Sequence, residues 1–288
     1  MSGQLEVLTT GPLTTIQDLG RPGNADWGVS WSGAADRASA RLANRLVGNP
    51  EGAACLEVTF GGMALRALGG AEVALAGAIG PATVDGHQVG PNVPLRIADG
   101  AELQLGAPTA GLRTYLAVRG GIDVAPVLGS RATDVLGQLG PPVVSSGDRL
   151  PVGDAGDAPV AIDQVAVRGP SNGTVELQVR LGPRSDRFTA EARRVLVTEP
   201  WTAGPDSTRI GLRLDGPTLE RATREELPTE GLVRGSIQVP PAGPPAVLLA
   251  DHPVTGGYPV IGVVVDADVD RAAQVRPGQP IRFRSVGG

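Results

Sequence analysis

The sequence predicts a mainly β protein, built as two β-rich domains with a few short helices. Three observations carry this. Gly (42) and Pro (26) together make nearly a quarter of the 288 residues. They fall between short Val/Leu runs rather than in tracts, which suits many strands joined by tight turns. Those runs recur about every ten residues, the spacing of a barrel or sandwich. Aromatics are only 3% of the chain, so the core must be built from Val, Leu, Ile and Ala.

The elements follow in order. "QLEVLTT" reads as a first strand, and the stretch from Gly11 to Gly33 as loop. From Asp36 the pattern turns helical: Ala40, Leu42, Ala43, Leu46 and Val47 share a face, and Gly48-Asn49-Pro50 stops the helix near 36–47. From Cys55 the texture is strands, with "ATVDGHQV" a hairpin through its Asp-Gly. "GSRATDVLGQLGPP" suggests a loop with a short helix. Residues 145–160 are the most linker-like, so the domains are placed at 1–160 and 161–288. The second half holds "VELQVRLGP", a short helix "RFTAEARRVL", "RIGLRLDGP", "SIQVPPAGPPAVLLAD", "YPVIGVVV" and a last strand in "AAQVRPGQPIRFRSV".

Composition excludes several functions. The net charge is −5 without a basic block, which argues against nucleic acid as a partner. The first ten residues lack the apolar core of a signal peptide, and no apolar run reaches the ~18 residues of a membrane helix. The single cysteine, Cys55, cannot form an internal disulfide. A cytoplasmic location is therefore expected. All 25 basic residues are arginine. Without lysine there is no Walker-type phosphate loop, no Schiff base and no covalently attached biotin. The two histidines and one cysteine form no metal-ligand spacing, so no metal site is assigned. "GVSWSG" fails the Gly-x-Ser-x-Gly elbow pattern.

Three segments are candidates for a site. In "IQDLGRPG…WSGAAD", glycines allow close backbone approach, and Gln17, Asp18, Arg21 and Asp36 hang polar groups on the loop. The plain alternative is a helix start capped by Asp36. In "STRIGLRLDG", Arg209 and Arg213 alternate and would face one side of a strand, where two guanidiniums can clamp a carboxylate or phosphate. A solvated strand face is the plain alternative. The third runs from Thr229 to Pro259, with Glu230, Gln238, Asp251, His252, Thr255, Gly256, Gly257 and Tyr258. There Gly256-Gly257 could form an anion-binding nest.

These segments, with "GVSWSGAADRASARLANRLVGN" and "DRAAQVRPGQPIRF", resemble the biotin-dependent carboxyltransferase family, also called allophanate hydrolase subunit 2. The resemblance runs from about Leu5 to Phe283. That family includes the C subunits of prokaryotic 5-oxoprolinases. The resemblance implies a cyclophilin-like β-barrel architecture. It implies ATP-dependent cleavage of 5-oxoproline to glutamate together with an A subunit and a B subunit of the kinase-inhibitor-like family, ATP being bound by the complex. Asp251, Glu230 and Tyr258 are then the expected catalytic groups, a shielded Asp251 or Glu230 moving a proton. Arg209, Arg213, Gln238, Thr255, Gly256, Gly257, Gln17, Asp18, Arg21 and Asp36 are the expected substrate-binding set. Two alternatives stay open: a carboxyltransferase component acting on urea or another amide, and a regulatory partner of the B subunit. Thr208 and Ile210 stand where the family pattern has Asp and Met, and His252-Pro253 also departs from it.

Overall fold

The computed structural model describes residues 3–78, 80–156, 166–167, 169–223, 225, 227–241 and 243–287. The chain forms two compact units, Met1–Arg21 with Ser32–Pro170, and Pro22–Trp31 with Ser171–Gly288. The sequence reading places one cut between 160 and 161. It could not see an early segment grouped with the second unit, because nothing in its local pattern marks where it packs.

The first unit contains β1 (Gln4–Thr10), β2 (Leu13–Gln17), α1 (Arg37–Leu46), β3 (Cys55–Thr59), β4 (Met63–Leu68), β5 (Ala71–Gly77), β6 (Ala82–Val84), β7 (His87–Gln88), β8 (Pro94–Ile97), β9 (Glu102–Leu105), β10 (Arg113–Val118) and β11 (Arg149–Pro151). They form two antiparallel sheets, β11-β1-β4-β9-β6-β7 and β2-β3-β10-β5-β8. Side chains alternate across a strand, and here both faces of the second sheet are used. Leu56, Val58, Val73, Leu75, Leu116 and Val118 meet Leu5, Val7, Leu65 and Leu103 of the first sheet. On the opposite face Cys55, Ala74, Ala76, Tyr115 and Ala117 pack with Ala40, Ala43 and Leu46 of α1. That is why all six residues of β10 are buried. Each fully buried Leu or Val contributes about 1.5–3 kcal/mol.

Local signals explain the boundaries. Asp36 caps α1 by accepting from Ser39 N, and Gly48 follows the helix with φ +72°, a left-handed stop. Asp85 and Gly86, at φ +47° and +78°, make the two-residue turn between β6 and β7 that Asp-Gly predicts. Three expectations need correction. The stretch read as loop contains β2, paired with β3. The linker-like segment contains β11, paired with β1; its residues 157–160 lie outside the described residues. The segment read as a loop with a short helix forms two tight turns and no helix.

The second unit contains β12 (Val175–Leu181), α2 (Ala190–Thr198), β13 (Trp201–Ala203), β14 (Gly211–Asp215), β15 (Glu230–Gly231), β16 (Ser236–Gln238), β17 (Ala246–Leu248), β18 (Thr255–Gly256), β19 (Val260–Val264), α3 (Asp266–Ala272) and β20 (Pro280–Ser285). Seven strands close a barrel in the order β12-β19-β16-β17-β14-β13-β20, as the mainly β, barrel-type reading expects. The parallel pair β12/β20 completes the ring. Closure leaves no edge strand in the ring to protect. Leu177, Val179, Leu212, Leu214, Ile237, Val247, Ile261, Ile281 and Phe283 fill its core with Trp201. Thr189 caps α2. A two-stranded ribbon, β15/β18, stands apart from the ring's hydrogen bonding. Among the described residues no helix is long and apolar enough to cross a membrane.

Candidate functional site

In the first unit the motif residues converge on one loop. Gln17 ends β2 fully buried, its amide N–H donating to Thr133 O at 2.9 Å and Thr15 Oγ1 at 3.0 Å. Asp18 accepts from Gly20 N, Ser130 Oγ and Arg131 N, each at 2.7 Å. Arg21 is buried, donates to Val127 O at 3.4 Å and to Ala132 O, and lies 3.7 Å from the Asp134 carboxylate. Gly33 lets this packing close, since a Cβ there would sit 2.6 Å from Gly20 N. Asp36 takes the helix-cap role, accepting from Ser39 N at 3.0 Å and Ser39 Oγ at 2.6 Å. Gln17, Asp18 and Arg21 thus shape the backbone of 127–134.

A neighbouring buried network was not read from the sequence. Glu57 accepts from Ala35 N at 2.9 Å and from the Tyr115 hydroxyl at 2.7 Å. That hydroxyl accepts in turn from Asp36 N at 2.7 Å, and Arg113 Nε lies 3.4 Å from Glu57. Register places Glu57 opposite Tyr115 on β3 and β10, so one face of the sheet holds the entry to α1. Burial, then the Glu57 charge, pushes the Tyr115 phenol well above its ordinary range. The available signal was Glu57 itself, one carboxylate inside "CLEVT". Burial also pushes the Cys55 thiol up, which keeps it protonated and inert.

In the second unit Arg209 and Asp251 form a bidentate pair at 2.9 and 3.0 Å, with side chains 2% and 0% exposed. The β14/β17 ladder pairs Gly211 with Leu248 and continues past its end, with Leu249 N bonded to Ile210 O and Asp251 N to Arg209 O. Arg209 and Asp251 are therefore carried to the same place. This corrects the expected carboxylate clamp. Arg213 is exposed on β14, and the Arg209 fork already grips Asp251. Spacing alone could not show that the ladder's extension buries one arginine of the two.

The ribbon gathers the remaining candidates. Glu230 pairs with Gly256 and Gly231 with Thr255. Gln238 donates to Tyr258 O at 3.4 Å, and the Tyr258 ring is half exposed. A Cβ on Gly256 would lie 2.7 Å from Gln238 Nε2 and 2.9 Å from Leu232 Cδ1. Neither Gly256 nor Gly257 has a left-handed φ, so the nest expectation gives way to close packing. Arg184, missed in the sequence, grips Glu230 through Nε at 2.8 and 3.1 Å and through Nη2. Its hydrogen bond holds the Glu230 carboxyl below the ordinary range. This corrects the expectation of Glu230 as a proton carrier with a raised pKa, because a guanidinium partner favours the charged form. His252 is buried, its Nδ1 2.8 Å from Pro253 O.

A pocket of about 1040 Å³ is lined by residues that include Leu214, Leu219, Arg221, Val239 and Pro245. None of the sequence-selected residues lines it. Among the described residues no group of three or more His, Cys, Asp and Glu is placed to hold a metal ion.

Comparison with known proteins adds a family. Residues 27–285 match the family model described as carboxyltransferase domain, subdomain A and B. The 5-oxoprolinase C subunit of Escherichia coli K12 is 38% identical over 284 residues, 97% of this chain and 90% of that protein. The 5-oxoprolinase C subunit of Haemophilus influenzae is 32% identical, over 98% of this chain and 91% of that protein. Among solved structures, the urea amidolyase of K. lactis superimposes with a TM-score of 0.93 at 30% identity. That match covers 99% of this chain and 19% of the K. lactis chain.

Proposed function

Because this chain belongs to the family of carboxyltransferase domains with subdomains A and B, we propose that it is the C subunit of an ATP-dependent 5-oxoprolinase. The observation that carries this is the match at 38% identity to a 5-oxoprolinase C subunit, over 90% of that protein. The matched urea amidolyase shares less identity, and the chain covers only 19% of it. The reaction opens a lactam. ATP transfers its γ-phosphoryl group to the amide oxygen, and water adds at the activated carbon. The C–N bond then breaks to leave γ-glutamyl phosphate, which a second water hydrolyses to glutamate and phosphate, ADP having left at the phosphoryl transfer. The chain works in the cytoplasm with an A and a B subunit and contributes no activity alone. ATP is held without a Walker lysine of this chain, which has none.

Within this reading the β15/β18 ribbon offers the chemistry nearest solvent. Tyr258 and Thr255 are exposed there beside Gln238, and each can hydrogen-bond to an amide. Arg209 and Asp251 act as a fixed, buried pair, the guanidinium gripping Asp251 rather than a substrate carboxylate. The test is reconstitution: this chain with companion A and B subunits, assayed for ATP-dependent glutamate release from 5-oxoproline. Omission of this chain is expected to abolish release. Undiminished release without it overturns the reading.

A second reading is favoured by the TM-score of 0.93 to urea amidolyase: a carboxyltransferase component receiving the carboxyl group from carboxybiotin on another protein. Carboxylation of urea, with no glutamate release from 5-oxoproline, would favour it.

A further inference from the structure

The expected substrate clamp loses its first arginine, because the Arg209 fork already grips Asp251. A carboxylate substrate still needs a cation, and the pocket in the second unit offers one. At about 1040 Å³ this pocket is at the upper limit of small-molecule sites. Its described lining residues all belong to the second unit. Pro240, Pro241, Pro244 and Pro245, from the segment that joins β16 to β17, line it. Prolyl rings have a fixed φ and almost no side-chain entropy to lose. The wall they make is therefore pre-organised for a compact apolar body.

Arg221 lines the same pocket, half-buried. Its backbone is pinned on both sides, with Thr189 N donating to Glu220 O at 3.1 Å and Ala222 N to Arg187 O at 2.8 Å. Its Nη2 donates to Val239 O, which sets the direction of the guanidinium. Its Nε is buried and meets no hydrogen-bond acceptor. Among the described residues no ion pair joins a carboxylate to Arg221, although Asp215 and Glu220 also line the pocket. Both of those carboxylates are exposed, where water and salt screen them. A partly desolvated cation without a charge partner favours an anion brought by a ligand.

The pocket also adjoins the ribbon. Val239 O accepts from Arg221, and Val239 N donates to Pro259 O at 3.1 Å. Gln238, one residue earlier, donates to Tyr258 O at 3.4 Å. The short segment 238–239 thus connects Arg221 with the groups that can hydrogen-bond to an amide.

We infer that this pocket binds a small carboxylate carried on a compact apolar ring. In the 5-oxoprolinase reaction it is the substrate site: Arg221 takes the carboxylate of 5-oxoproline, the prolines face the lactam ring, and the amide lies towards Gln238 and Tyr258. The identity of the ligand rests on the 5-oxoprolinase reading; its chemical class rests on Arg221 and the pocket.

The test is titration calorimetry of the full chain, alone and assembled with companion A and B subunits. The probes are 5-oxoproline, cyclopentanecarboxylate, which lacks the amide, and 2-pyrrolidone, which lacks the carboxylate. Both carboxylates should bind, and 2-pyrrolidone should bind far more weakly. Arg221→Gln should weaken 5-oxoproline about tenfold or more, the loss of a hydrogen bond to a charged group, and Arg221→Lys should recover part of it. Thr218→Trp, at an exposed lining position, fills the pocket without touching the guanidinium. It should weaken binding as much while leaving the melting temperature unchanged. In the assembled enzyme Arg221→Gln should raise KM more than it lowers kcat. Unchanged affinity in either variant overturns the proposal. So does 2-pyrrolidone binding as well as 5-oxoproline, or a wild-type chain that binds no 5-oxoproline alone or assembled. Arg221-dependent binding without glutamate release counts against the enzyme reading alone. Glutamate release with a KM that Arg221→Gln does not move counts against the pocket alone.

Discussion

Arg21 in the first unit and Arg209 in the second are both buried guanidiniums drawn from motif segments, yet they hold different things. Arg209 meets one carboxylate with both arms of its fork, at 2.9 and 3.0 Å. Arg21 spreads over two backbone carbonyls and a carboxylate 3.7 Å away. The first arrangement locks two points at the end of a ladder. The second sets the course of a loop that has no ladder of its own. A planar cation with five donors can serve either purpose, and its neighbours decide which.

That contrast can be broken by mutation. Asp251→Asn takes away the carboxylate that both arms of the Arg209 fork grip, and breaking this buried pair is expected to cost about 3–5 kcal/mol in urea unfolding of the second unit. Arg21→Met should act locally, with amides of 127–139 exchanging faster with solvent than those of β10. If Arg21→Met unfolds the whole unit as readily as it loosens that loop, the contrast fails. Tyr115→Phe is the intermediate case. It strips Asp36 N and Glu57 of one partner each, and a lost buried hydrogen bond costs about 0.5–1.5 kcal/mol. A melting temperature equal to wild type would show that the network does not hold the entry to α1.

The smallest effect belongs to the partly exposed Arg184–Glu230 pair. The folded-state pKa of Glu230 is lowered by Arg184. Its contribution is therefore present above the ordinary glutamate value of 4.5 and is lost as the pH falls through the lower folded value. The melting temperatures of wild type and Arg184→Gln should differ slightly at neutral pH and converge in acid. A gap that widens in acid would reverse the sign. Solvent screening keeps the effect small.

Much of the fold was legible. The helix at Arg37–Leu46 and the Asp85-Gly86 hairpin follow from a cap, an apolar face and a turn dipeptide, which act within a few residues. β2 was hidden because "LTTIQ" breaks the alternation of a strand, with Thr14 and Thr15 adjacent, and sits among glycines; its partner β3 lies about forty residues on. The candidate site was legible as a set of positions, not as contacts. Gln238, Thr255, Gly256 and Tyr258 do share one region. Arg184 and Glu57 were missed because their partners come from other strands and loops.

The sequence by itself determined the β-rich class, the helix at Arg37–Leu46, the Asp85-Gly86 turn and the chemistry that a chain without lysine cannot perform. Each depends on local preference or on the presence of a side chain. Only the tertiary structure decided that Arg209 binds Asp251, that Glu57 holds the start of α1 and that Arg221 reaches Val239 O at the wall of a pocket. Those facts depend on strand register and loop closure, which set which distant groups meet and which remain in water.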